Sequence, residues 1–139
     1  MTVPAEYSQA ADRFYEYLVD ARDEAGLGST HQAYTMTQGV LQVFRRRLPL
    51  ADALRFAGTL PVGLRALFVA DWDTAEPVRP FEDRTAMTLE ARALRAEHNF
   101  APDSAIHDVA AALRRHVDVE AFERVLDALP EGAGAFWRV

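Results

Sequence analysis

The chain contains no cysteine and no lysine. The first absence excludes disulfides, thiolate chemistry, cysteine-ligated zinc and iron–sulfur clusters. The second excludes a side-chain Schiff base and the lysine of a phosphate-binding loop. All fifteen basic residues are therefore arginine. There is also no run of the roughly 20 apolar residues that a membrane span needs. The opening stretch, MTVPAEYSQAADRFYEYLVD, is polar and acidic, without the basic end and apolar centre of a secretory signal. A cytoplasmic protein with no membrane partner is expected. Net charge is −6, the wrong sign for a non-specific nucleic-acid binder, so no nucleic-acid partner is expected either.

What is present is a globular composition: half the 139 residues are apolar, 26% are charged, and alanine is abundant. Helical spacing dominates. A first helix is expected over about residues 5–25, with Phe14, Leu18, Ala21 and Ala25 inward and Gly26 and Gly28 ending it. Ser29 and Gln32 form a capping box for the second helix, whose stripe is Ala33, Met36 or Thr37, Val40, Leu41, Phe44 and Leu48. Pro49 and Gly58 bracket a short third helix, and Pro61 opens a fourth that carries Leu64, Leu67, Phe68 and Trp72 on one side. DTAEPVRP is a linker. A fifth helix is expected from Asp83 to His98, a sixth with Ile106, Val109, Ala110, Leu113 and Val117 inward, and a seventh capped by Asp118 with Phe122, Val125, Leu126 and Leu129 inward. The final PEGAGAFWRV reads as a short, frayed helix, because Gly132 and Gly134 each cost about 1 kcal/mol there relative to alanine.

The chain also repeats itself. Phe44–Phe68 aligns without gaps to Leu113–Trp137, matching Arg45 with Arg114, Arg46 with Arg115, Leu60-Pro61 with Leu129-Pro130 and Gly63 with Gly132. Upstream the register shifts by four residues, pairing Phe14 with Met87 and Leu27 with Phe100. Four residues is about one helical turn, so the buried face is kept. The expectation is one all-α domain over 1–139, a compact bundle of about eight helices. It is built from tandem units (about 5–72 and 81–139) joined by linker 73–80 and related by a pseudo-twofold axis.

The two units, with RRRLP and ALRFAGTLPVGLRALFVADWD in the first and LRRHV and FERVLDALPEGAGAFW in the second, resemble the bacterial domain-of-unknown-function family 2267 (DUF 2267). The resemblance covers nearly the whole chain and implies an all-helical fold. It brings no activity, cofactor or catalytic residue. The sequence departs from the family pattern in its last helix, where two glycines replace bulkier or charged residues.

Candidate chemistry is sparse. No histidine pair has the i,i+4 spacing of a zinc-binding HExxH, and none of His98, His107 and His116 follows a glutamate by three residues as a di-iron bundle would require. His31 reads as solvated, His98 as a helix-end cation, and His107 and His116 as structural residues with acid–base or metal roles as the lesser alternative. No catalytic residue, metal ligand or cofactor is assigned. The acidic ridge of helix one reads as a solvated face. Arg45, Arg46 and Arg47, with Arg114 and Arg115, are the one charged feature that recurs at equivalent places. They are candidates for contact with phosphate or an acidic partner, although cations at a helix C-terminus are already favourable by about 0.3–1 kcal/mol each. The expected function is a small non-enzymatic protein-interaction or regulatory domain, working through a protein partner or self-association on its helical surfaces or in the groove between its halves. The alternative is a small-ligand binder or enzyme with a pocket between the units.

Overall fold

The second long helix of the sequence lies at the centre. α3 (Thr30–Arg45) buries most of its 16 residues, including Ala33, Met36, Val40, Leu41 and Phe44. Its start is fixed by Ser29, whose Oγ accepts from Gln32 N–H at 3.1 Å. The Gln32 side chain reaches back one residue further than a simple capping box, accepting from Gly28 N–H at 2.9 Å. Such a cap stabilises a helix by about 1 kcal/mol. The computed structural model describes residues 2–94 and 101–139. His98, Phe100 and the end expected for the fifth helix lie outside them.

Around α3 pack α2 (Ala10–Ala25), α5 (Val62–Val69), α6 (Arg84–Ala93) and α7 (Ala105–Arg114); α2 also lies along α7. α4 (Leu50–Ala57) rests on α8 (Val119–Ala128), which meets α9 (Ala133–Phe136). The short α1 (Ala5–Ser8) precedes α2, because the helix expected over 5–25 breaks at Gln9, where φ is −105° and ψ 9°. Among the described residues the chain is a compact, all-helical bundle of nine helices with no strand. Gly26, at φ 68°, ends α2; Leu27 N–H returns to Arg22 C=O at 2.9 Å and satisfies an otherwise orphaned carbonyl.

The C-terminal segment is the clearest departure from expectation. It is not frayed: Phe136 and Trp137 are 1% and 0% exposed. Trp137 stacks on Phe56 with centroids 5.5 Å apart and meets Phe44 and Phe122 edge-on at 5.3 and 5.9 Å. Gly132 is not a weak point inside a helix but its N-cap, at φ 102°, a conformation that costs other residues strain. The Phe81 ring occupies the place its missing side chain leaves; a Cβ there would sit 2.7 Å from Phe81 Cγ. Arg84 Nη2 holds the end by donating to the carbonyls of Ala135, Phe136 and Arg138. Trp72 also departs from expectation. α5 stops at Val69, Asp71 turns the backbone at φ 54°, and Trp72 folds over Arg45 instead of continuing the helix face.

Linker 73–80 is strapped to the end of α3. Arg79 N–H donates to Arg46 C=O at 2.9 Å, and Arg47 Nε donates to Pro80 C=O at 3.2 Å.

Candidate functional cleft

The acidic face of α2 does not simply face water. Its Asp20 and Glu24 receive the end of α7 from nearly a hundred residues away in sequence. Arg115 grips Asp20 with two bonds, Nε to Oδ2 at 2.9 Å and Nη2 to Oδ1 at 2.7 Å, and Nη2 also reaches Glu24 at 2.8 Å. A fork of this kind is the strong form of the ion pair. His116 Nε2 meets the same Asp20 Oδ2 at 2.9 Å. The Arg115 hydrogen bond, reinforced by His116, outweighs partial burial and holds the Asp20 carboxyl below the usual carboxylate range. Arg115 in turn is held more firmly protonated by Asp20 and Glu24.

Beneath this clamp Tyr17 is buried, edge-on to the His116 ring at 5.5 Å. Its hydroxyl pairs with Thr37 Oγ1 at 2.9 Å, and burial pushes its pKa well up. Of these groups Tyr17, Arg115 and His116 line a cleft of about 590 Å³ between α2, the start of α5 and the α7–α8 turn, and Asp20 and Glu24 hold Arg115 and His116 from behind it. Phe14, Leu64 and Val117 give it an apolar floor, and Asp12, Arg13 and Glu16 line the α2 side. Arg13 is fixed by Gln9, whose side-chain oxygen accepts from its Nε and Nη2 at 3.1 and 2.8 Å. A second hollow of about 230 Å³ continues past Arg13 and His116 towards Thr59 and Arg65. The arrangement can present fixed cations, a histidine and carboxylates above an apolar surface. Among the described residues no group of three His, Asp or Glu side chains is placed to hold a metal ion.

The five arginines singled out in the sequence fare differently from one another. Arg45 and Arg47 are 7% and 2% exposed and are not surface groups. Arg45 Nη1 donates to Phe68 C=O and Ala70 C=O, both at 2.8 Å. Arg47 donates to Val43 C=O at 3.0 Å and to both carboxylate oxygens of Glu90. Arg46 sits in loose ion pairs with Glu76 and Glu90 at 3.4 and 3.6 Å. Arg114 donates to Trp137 C=O at 3.0 Å and pairs with Glu123. The physical reason is local: the last turns of α5 and α9 leave carbonyls without partners, and a guanidinium carries enough donors to serve several at once. Arg115 alone of the five keeps about half its side chain exposed, and it is the one in the cleft.

His107 is half-buried beside Asp108, and His31 lies against Tyr34. Thr37 is one of the inward positions expected for the second helix, whereas Tyr17 does not stand out from its neighbours in the sequence. The one signal there is Tyr17's position three residues after Phe14, on the same helix face.

Fold and cleft together define a class: an all-helical bundle with a polar cleft where its N-terminal half meets its C-terminal half. The chain belongs to the family described as Uncharacterized conserved protein (DUF2267), whose profile matches residues 14–136. That match runs from within α2 to the end of α9 and takes in Tyr17, Arg115 and His116 of the cleft, but not Asp12 and Arg13. A search of the curated proteins finds no match.

Proposed function

We propose that this protein is a small cytoplasmic binding domain of regulatory type, which receives a partner in the cleft between its halves. One observation carries the reading: Asp20 fixes Arg115 and His116 on the wall of a 590 Å³ opening that Phe14, Leu64 and Val117 line with apolar surface. Pre-positioned polar groups around an apolar depression are the usual make-up of a recognition site. The acidic net charge argues against a nucleic-acid partner.

The tandem-repeat reading is compatible with this proposal, since residues from both halves of the chain line the cleft. In support of equivalence, Arg45 and its aligned partner Arg114 each bond a carbonyl 23 residues further along. A second reading, ligand turnover, is favoured by the way Asp20 orients His116 at the cleft.

Site-specific photo-crosslinking separates binding in the cleft from indifferent surface contact. A photoreactive side chain at Asp12, on the cleft wall, is expected to yield a discrete adduct in cells that the same group at Leu89 on α6 does not. Equal adducts at both positions, or none at Asp12, defeat the proposal.

A further inference from the structure

Arg45 is the exception among the arginines at the end of α3. Arg46, Arg47 and Arg79 all have glutamate partners, whereas Arg45 has no ion pair among the described residues. Two carbonyls occupy its Nη1. Its Nε is buried with no partner, and Nη2 makes no hydrogen bond among the described residues. The Trp72 ring covers the guanidinium at 5.1 Å. Burial, and then the neighbouring charge of Arg46, work against its protonation. A buried cation with an unmade hydrogen bond is a costly arrangement. Its aligned counterpart Arg114 shows the contrast, with Nε on a carbonyl and Nη1 on Glu123.

The Arg45 Nε is closed off from the cavity, which leaves Nη2 as the donor open to a carboxylate, in a charge-assisted hydrogen bond. Arg45 also lines a cavity of about 60 Å³, together with Arg46, Trp72 and Thr74. The Arg46 side chain makes no hydrogen bond among the described residues, only the two longer ion pairs. Asp73 and Glu76 line the same cavity and offset the two arginines, and their repulsion is about twice as large for a dianion such as phosphate as for a monoanion. Leu50 and Val78, 51% and 54% exposed, add apolar surface to the lining.

We propose that Arg45, Arg46 and Thr74 form a binding site for a single carboxylate group carried on a short apolar stem. The site shares no lining residue with the cleft, so it stands or falls apart from the function proposed above. The carboxylate comes either from a free small acid or from a glutamate side chain of a partner protein.

The test is a titration of protein labelled with nitrogen-15 arginine, following the Arg45 Nε–H resonance by NMR. That resonance is identified by its loss in Arg45→Met. Sodium butyrate is added at constant ionic strength, balanced with sodium chloride. The expected result is a saturable shift of the Arg45 signal, weakened at least fivefold in Arg46→Gln and in Thr74→Val. Both of those changes lie at partly exposed positions and keep the fold readable should Arg45→Met fail to fold. A capped peptide with one glutamate that binds tenfold more tightly than butyrate identifies a partner's side chain as the source. Butyrate at equal or better affinity identifies a free acid. An Arg45 signal that does not move, or that moves alike with chloride, overturns the proposal and leaves the cavity to bound water only.

Discussion

Replacing Gly132 and Gly134 separately with alanine tests how the C-terminal segment is held. Gly132 sits at φ 102° and ψ −21°, where a side chain brings about 1–3 kcal/mol of backbone strain. Its Cβ would also lie 2.7 to 2.9 Å from three atoms of Phe81. Phe81 cannot simply yield, because its ring packs against Phe44 at 6.0 Å and Phe136 at 6.4 Å. Overpacking of this kind costs a further 1–3 kcal/mol or so. Gly132→Ala is therefore expected to lose about 2–5 kcal/mol, a large part of the roughly 5–15 kcal/mol that holds a domain folded. Gly134 lies within α9, and a Cβ added there would meet no atom within 4 Å. Gly134→Ala is expected to gain up to about 1 kcal/mol through helix propensity alone. Urea unfolding followed by circular dichroism and tryptophan emission reads both. Equal effects of the two substitutions, or a loss below about 1 kcal/mol for Gly132→Ala, would refute the packing described for this segment.

Three further outcomes are expected. Glu90→Ala leaves the Arg47 side chain, 1% exposed, with only the looser Glu82 contact at 3.5 Å, and is expected to cost about 3 kcal/mol in urea unfolding, with Arg47→Met in the same chain restoring much of it. Tyr17→Phe strands the buried Thr37 hydroxyl at a cost of about 1–2 kcal/mol; in the wild type, 295 nm absorbance should show tyrosinate forming at Tyr17 only on alkaline unfolding, since burial raises its pKa. Asp20 has a folded-state pKa below its unfolded value of about 3.9. Its contribution is thus fully present above that pH and is lost as the pH falls through the lower, folded value. Asp20→Asn is expected to flatten the acid limb of stability against pH, and an unchanged limb would show that the Arg115 clamp contributes nothing there.

Much of the helix content is legible in the sequence because it is local. The Ser29 cap, the αL glycine at position 26, the Asp118 cap and the stripe of α3 are each set by residues a turn or two apart. What the sequence hides depends on partners far along the chain. Nothing near Arg115 announces Asp20, and nothing near Gly132 announces the Phe81 ring that needs its missing side chain. The same blindness puts Arg45 and Arg47 on the surface: a cation at a helix end suits the dipole in sequence, but here the orphan carbonyls after α5 and the partly buried Glu90 draw both side chains inward. Half of the candidate site is visible, in that Arg115 and His116 stand out by sequence. Their meeting with α2, which makes the cleft, follows from tertiary packing that periodicity does not encode.

The most direct test of the cleft as a binding site is native mass spectrometry of the protein purified gently from its cells, compared with Glu16→Trp, a change on an exposed α2 position that fills the cleft from its wall. The expected result is a wild-type species carrying a bound ligand or partner that is missing from the Glu16→Trp protein while both remain folded. The same bare chain from both, or the same complex from both, would contradict a functional role for the cleft.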